Sequence, residues 1–432
     1  MNSYDKNNFI GLIPLIIFLI LYLSIGIITN NFNSMPLMIG IIIASIISII
    51  IPNEDKKINI EKRINIFCKG GGQKDLILMV IIFLMAGGFY GIAKKMNAVN
   101  SVTNLGLSIL PTRLILPGLF IIGCIISFAM GTSMGTVAAL MPIAISLSLR
   151  THSNILIFCG TVIGSAMFGD NLSMISASVI AANKTQNVNQ NEKLKTNLLM
   201  IAPAWIFNIF LLSIYPIQNI KIYSSSYHYN IIDLFPYIIV IILSFSGLNV
   251  LSVLFFGIIS GIIIGVYHGN FGIIQSMNII HKGMLSMEDM ALIAILVGGL
   301  VEVMGYLGGI NWLLTALTKK VKNAKGGELA IACLVSLLDI ITTNDTISII
   351  TAGPLAKDIS NKYKIAPKRT ASILTTFSCI FNGIIPYGGQ LLVAGGLAKI
   401  SPIKIVPYSW YCLLMLLSST LFIIIKKNKV VN

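Results

Sequence analysis

The chain has 432 residues, of which 56% are hydrophobic and only 10% charged, and its mean hydropathy is +0.88. A soluble domain carries roughly 25% charged residues, so too few remain here to cover a water-facing surface, and a soluble protein is excluded. The formal charge of +15 would point to nucleic acid in a soluble protein. Here the basic residues sit in short loops between apolar runs, where they orient a membrane chain, and no aromatic–basic interleaving offers a base-stacking surface.

The N-terminal MNSYDKNNF leads into an apolar run to about Thr29. That run is longer than a signal-peptide core and has no small-residue cleavage site, so a retained first membrane helix is expected. Membrane segments are expected at roughly 9–29, 35–52, 75–93, 114–149, 154–182, 198–216, 232–245, 248–267, 290–307, 328–350, 369–397 and 405–425. A simple span needs about 20 residues. The runs 114–149 and 154–182 exceed that and are interrupted by Gly, Ser and Thr, which predicts broken helices or re-entrant hairpins. Non-helical backbone at membrane depth survives only where it is buried in protein or lines a wet cavity. The most polar internal stretch, 183–197 (NKTQNVNQNEKLKTN), is expected to be a solvated loop.

Two halves, 1–216 and 217–432, can be superposed at a shift of about 211 residues, a period that marks an internal repeat. Gly87-Gly88 falls on Gly298-Gly299, Val99 on Ile310, and Thr132 in MGTSMGT on Thr343 in TTNDT; at a slightly larger shift FGDN at 168–171 falls near IPYG at 385–388. The loops carry opposite charge bias. The loop 53–74 holds Lys56, Lys57, Lys62, Arg63, Lys69 and Lys74, and its partner 268–289 holds Lys282. The loop near 150–153 holds Arg150, and its partner 351–369 holds Lys357, Lys362, Lys364, Lys368 and Arg369. By the positive-inside rule, corresponding loops then lie on opposite sides. The fold expected is an all-α polytopic membrane protein of about 10–12 transmembrane helices in two inverted repeats with broken or re-entrant helices. The runs 114–149 and 328–350 each enter and leave on one side.

The six cysteines are scattered without a CxxC pair, most of them inside apolar runs, and read as small buried apolar side chains. The four histidines form no metal-ligand cluster, and no P-loop pattern supports ATP-driven transport. The informative residues are carboxylates inside apolar runs: Asp170, Glu302, Asp339 and Asp345. A charge at bilayer depth costs several kcal/mol unless paired or hydrated, so such residues mark ion or substrate pathways. Asp170 and Asp345 lie in the densest polar clusters. Around Asp170 stand Asn171, Ser173, Ser176 and Ser178, with Asp170 and Ser173 spaced to share a helix face. MGTSMGT adds Thr132, Ser133 and Thr136, and TTNDT adds Thr343, Asn344 and Asp345. Hydroxyls, amides and carbonyls with one carboxylate suit a small hard cation such as sodium. Asp170, Ser173 and Asp345 are the expected Na+ ligands. Sodium and a proton can compete for one partly desolvated carboxylate, which gives antiport when the site faces each side in turn.

At these residues the chain resembles the NhaC-type Na+/H+ antiporter family. The stretches that carry the resemblance are GTSMGT at 131–136, FGDNLSMIS at 168–176, GGI at 308–310 and TTNDT…GPLAKDI…IPYGGQ, and they cover most of the chain from about 75 to 400. The resemblance implies a multi-span carrier of the inner (plasma) membrane exchanging internal sodium for external protons. Asp170, Ser173, Thr132 and Ser133 match the family's polar motif, and Asn344 and Asp345 occupy the corresponding break in the second half. The family pattern continues Ser-Asp-Thr-Thr where this chain reads Ser176-Ala177-Ser178-Val179, one carboxylate fewer.

The expected function is Na+/H+ antiport by alternating access, without a cofactor beyond the transported Na+ and H+. The partners expected are membrane lipids and a small cation or organic solute, with a homo-oligomer allowed. The alternative is a proton- or sodium-coupled carrier of an amino acid or organic acid, supported by Phe168, Tyr387, Asn171, Asn382 and Gln390 near the breaks. A membrane-embedded enzyme would need an HExxH motif or a Ser/His pair on facing helices, and neither is visible. If the repeats are inverted, single cysteines at Arg150 and Lys362, in a background lacking the six native cysteines, should label with impermeant maleimide from opposite faces of the membrane. Labelling of both from one side would refute the inversion.

Overall fold

The computed structural model describes residues 8–29, 34–52, 59–217, 229–246, 248–318 and 321–425; residues 1–7, and Lys56 and Lys57 of the basic loop, lie outside them. Among the described residues every regular element is helical. This follows from the solvent: in hydrocarbon, backbone N–H and C=O groups must be satisfied within the chain, and a helix does so locally.

The first half contains α1 (Ile13–Ile28), α2 (Leu37–Ile50), α3 (Ile60–Gly71), α4 (Lys74–Lys95), α5 (Ala98–Ile109), α6 (Ile115–Met130), α7 (Ser133–Arg150), α8 (Ile155–Leu172), α9 (Ala177–Gln186) and α10 (Gln190–Ile214). The second half repeats the series as α11 (Phe235–Phe245), α12 (Val250–Tyr267), α13 (Ile273–Leu285), α14 (Glu288–Tyr306), α15 (Gly309–Thr318), α16 (Ala324–Thr342), α17 (Asp345–Lys362), α18 (Pro367–Asn382), α19 (Gly389–Ala398) and α20 (Trp410–Ile425). The agreement reaches single residues. Pro142 and Pro354 occupy the same position inside α7 and α17. α9 and α19 each run 10 residues and close on a left-handed residue, Asn187 at φ 55° and Lys399 at φ 56°. α6 and α16 likewise end on left-handed residues, Gly131 at φ 63° and Thr343 at φ 52°.

Among the described residues, 8 helices are long and apolar enough to cross a membrane, or 9 if the pair Gly389–Ala398 and Pro402–Tyr408, bent by 100°, forms one span. Leu37–Ile50, Ile231–Leu243 and Trp410–Ile425 are shorter apolar helices. The run 114–149 consists of two arms, Thr112–Met130 and Ser133–Arg150, each of span length. Its counterpart is broken in the same way at Thr343, and 369–397 is interrupted between α18 and α19 as 154–182 is between α8 and α9.

Two expectations need correction. The stretch 183–197 is not a solvated loop: α9 runs to Gln186, α10 starts at Gln190, and Gln186, Lys193 and Asn197 are buried. Its polar side chains are absorbed by neighbouring helices rather than by water. FGDN also does not lie opposite IPYG. Matched from their first residues, α8 and α18 set Asp170 against Asn382, and 385–388 belongs to the break that follows.

The halves interlock. α9 packs on α17 and α19 on α7, while α3 packs on α14 and α13 on α4. The outer contacts are close backbone approaches of the kind small residues permit between membrane helices. A Cβ on Gly70 would stand 2.5 Å from the Gly298 carbonyl oxygen, and one on Gly283 would collide with the carbonyl oxygen of Gly87. Of the cysteines, Cys124, Cys159, Cys379 and Cys412 are buried and Cys68 and Cys333 exposed. Gly283→Val should destabilise the detergent-solubilised protein by about 1–3 kcal/mol through overpacking. Gly272→Ala, where a Cβ meets nothing within 4 Å, should leave the melting temperature unchanged.

Candidate functional site

The site forms where the two breaks of the first half meet. At Gly131 the chain leaves α6 in a left-handed conformation, and Thr132 caps α7 with its hydroxyl accepting from the Gly135 amide at 3.4 Å. A Cβ on Gly131 would come within 3.0 Å of the Ser176 amide nitrogen, so this break lies directly on the α8–α9 break. Glycine is required there by both the positive φ and the close approach. The contact carries Ser133, the first residue of α7, to Asp170 near the end of α8.

Asp170 is 3% exposed. Its Oδ2 accepts from Ser133 Oγ at 2.8 Å and its Oδ1 from Ser176 Oγ at 2.6 Å, and the Ser133 backbone amide also donates to it. The carboxylate therefore faces the amino end of α7, where the helix dipole favours negative charge. Gln390 at the start of α19 donates to Ser133 Oγ at 3.0 Å, bringing the second half to the cluster. Ser176 Oγ shares a 2.8 Å hydrogen bond with Ser178 Oγ, and the Ser178 hydroxyl reaches Asp345. Asp345 opens α17, where its Oδ1 accepts from the Thr346 amide at 2.8 Å. A chain of hydroxyls thus links two carboxylates whose charges sense each other, one from each half.

The structure divides the expected residues. Asp170, Ser133, Ser176 and Asp345 converge. Thr132, Thr343 and Asn344 shape the breaks: Asn344 Oδ1 accepts from the Ile347 amide at 3.0 Å and caps α17. Asn171 faces the other way. Its Oδ1 accepts from Asn197 at 2.9 Å and its Nδ2 donates to Thr376 Oγ1 at 3.3 Å, which ties α8 to α10 and α18. Ser173 does not share a helix face with Asp170. α8 stops at Leu172, Ser173 is extended at φ −56°, ψ 143°, and its hydroxyl accepts from the Ile175 amide at 3.2 Å. Helical spacing no longer applies once the helix has ended.

One residue escaped the sequence reading. Lys193, in the first turn of α10, is 2% exposed, its Nζ has no hydrogen-bond partner among the described residues, and its charge acts on Asp170. It lies close to Asn171, Ser173, Val179 and Asn197. The signal was periodicity: Lys193, Asn197, Ile201, Ala204 and Asn208 are buried along one face of α10, a 3.6-residue pattern running backward out of the apolar run.

A protein-family model described as the Na+/H+ antiporter family matches residues 7–220 and again 217–427. This chain belongs to the Na+/H+ antiporter family. The family is one of membrane transporters that handle small cations. Similar proteins include the Na(+)/H(+) antiporter NhaC of Alkalihalophilus pseudofirmus, 22% identical over 386 residues (81% of this chain, 82% of the relative). The NhaC of Bacillus subtilis is 24% identical (85% and 87%), and the malate-2H(+)/Na(+)-lactate antiporter of Bacillus subtilis is 21% identical (77% of each). Among solved structures the chain is similar to the YdaH transporter of Alcanivorax borkumensis, at 14% identity and a TM-score of 0.40, covering 84% of this chain and 86% of that one.

A charged Lys193 ammonium would oppose a cation at Asp170, since the two side chains interact electrostatically. Lys193→Gln should therefore bind Na+ more tightly while slowing exchange. The exposed Lys195 changed to Gln should alter neither, as read by Na+ titration and proteoliposome flux. Weaker Na+ binding in Lys193→Gln would show that the ammonium does not oppose the cation.

Proposed function

We propose that the chain is a multi-pass carrier of the inner (plasma) membrane that exchanges internal Na+ for external protons at Asp170. In this reading residues 1–216 and 217–432 act as inverted repeats that expose the site to each side in turn. The charge balance at the breaks carries the reading. Asp170 and Asp345 bring two acidic groups, Lys193 one basic group, and the remaining donors are neutral: Ser133, Ser176, Ser178 and Gln390. With all three ionised, one negative charge is left over in a setting where an uncompensated charge costs several kcal/mol. One proton or one Na+ restores neutrality, and the two are then mutually exclusive.

That exclusivity is the coupling. An Asp170 that must hold either ion to cross between the two facing states cannot return empty, so Na+ moves one way only as protons move the other. The broken helices supply what each state needs. The carboxyl ends of α6 and α16 leave carbonyl oxygens free of helical bonds, and these favour a cation. The amino ends of α7 and α17 hold the carboxylates in place. No cofactor enters the scheme.

The organic-acid reading draws support from one relative, named as a malate and lactate antiporter, but its aromatic residues are occupied. Phe168 stacks on Trp205 at 5.8 Å between ring centroids, and the Tyr387 hydroxyl donates to the Ile340 carbonyl at 2.8 Å. The test is a proteoliposome screen of Na+, Li+ and K+ against a pH gradient, followed by labelled carboxylates and amino acids. Na+-driven pH change is expected, and Asp170→Asn, which keeps the size of the side chain, should abolish it. Retention of wild-type exchange in that variant would remove Asp170 from the mechanism.

A further inference from the structure

We infer that the chain holds a second monovalent-cation site, separate from Asp170, at the crossing of α16 and α18. The inference rests on the exchange reading above and deepens it. The residues are Asp339, Ser378 and Asn382, with Ser348 of α17 beside them. Asp339 is 0% exposed. Its Oδ1 accepts from Asn382 Nδ2 at a long 3.4 Å, and its hydroxyl neighbours are Ser378 and Ser348. Asp339 Oδ2, Asn382 Oδ1 and Ser378 Oγ form no well-aligned hydrogen bond among the described residues, although the Ser378 and Ser348 hydroxyls stand close enough to donate to Asp339. Buried polar atoms are rarely left unpaired. Oxygens of a carboxylate, an amide and a hydroxyl, gathered in one buried crossing and only loosely bonded to one another, make a ligand set for a hard cation.

The repeat shows that this is not a packing accident. In the first half the same crossing is closed: Ser127 of α6 donates to the Ala166 carbonyl of α8 at 2.6 Å. Asp339 occupies the position of Ser127, and Ser378 that of Ala166, counted from the matching helix ends. A satisfied neutral contact in one half is thus a carboxylate with unpaired oxygens in the other. Charge leads to the same place. The nearest ionisable partner of Asp339 is another acid, Asp345, and the only ammonium among the groups around Cys379 of α18 is Lys193. When ionised, Asp339 adds a second negative charge, and among the described residues no basic group is one of those acting on it. A route also exists. A cavity of about 160 Å³, lined by Gln73, Glu302, Asn311, Thr342 and Thr351, ends at Thr342, whose hydroxyl is hydrogen-bonded to Ser348 at 2.7 Å. Glu302 gives that vestibule its negative charge.

Equilibrium binding of radiolabelled Na+ to the purified full chain tests the site. The wild type should bind two Na+ per chain, Asp339→Asn one, and Asp170→Asn one. Size-exclusion profiles check that each variant is folded. If Asp339→Asn does not fold, Ser378→Ala and Asn382→Ala serve, each expected to weaken one Na+ by about tenfold and leave the other unchanged. A wild type that binds no Na+ removes the exchange reading and this site with it. One Na+ per chain in the wild type, two or none in Asp339→Asn, or unchanged binding in both Ser378→Ala and Asn382→Ala overturns the second site alone.

Discussion

The cost of ionising a carboxyl group away from water organises this molecule. Asp170, Asp339 and Asp345 surround α18 in a region lined otherwise by apolar and neutral polar side chains, with Lys193 as the basic group among the described residues that shares it. Such groups are held more readily close to a helix end than in mid-helix, where the backbone dipoles are already spent on neighbours. Breaking the helix frees amides at one end and carbonyls at the other within a few residues. The interruptions at Gly131, Ser173–Ser176, Thr343 and Gly383–Gly388 are therefore the means by which charge is held at depth. They survive in a bilayer only because each is buried against another.

The two halves share a backbone but not a chemistry. At equivalent positions Ser127 faces Asp339, Ser133 faces Asp345 and Asp170 faces Asn382. Where one half carries an acid, the other carries a hydroxyl or an amide. An exact chemical duplication would place acid against acid across the contacts between α7, α9, α17 and α19, and like charges at such range in a low dielectric repel strongly. The exchange of residue types keeps the number of carboxylates high while spacing them out. The backbone is less even-handed at the turn itself. Gly131 adopts positive φ freely, but Thr343 does so at φ 52° with a branched Cβ, a conformation that costs roughly 1–3 kcal/mol. The tight contacts at the end of α16 hold it there, with the Thr342 hydroxyl bonded to Ser348.

Much of this was legible in the residues. Apolar runs located the spans, Gly/Ser/Thr clusters located the breaks, and the acids within them located Asp170 and Asp345. The reading failed where it treated local pattern as final. Composition alone made 183–197 a loop, because Lys, Asn and Gln are usually solvated; Asn197 is buried because α8 and α18 supply polar partners that no local window contains. Spacing placed Ser173 beside Asp170 on the assumption that the helix continued, and it does not. Asp339 lacked a polar neighbourhood in the sequence, since Ser378 and Asn382 reach it from another helix. The misses at 183–197 and at Asp339 are long-range contacts that involve α18, whereas the one at Ser173 is a local helix end.

The Ala177 position bears on how the ion is held. The family pattern has an aspartate there, and its loss would seem to strip a ligand from the cluster. The structure places Ser176 and Ser178 inward and Ala177 on the exposed side of the first turn of α9. A carboxylate at 177 would therefore stand outside the Ser133–Asp170–Ser176 cluster, at the approach to it rather than within it. Its absence leaves the hydrogen bonds from Ser133 and Ser176 to Asp170 intact. An acidic approach is instead present at the Glu302 cavity, which reaches Thr342 in the second half, where Asp339 and Asp345 lie.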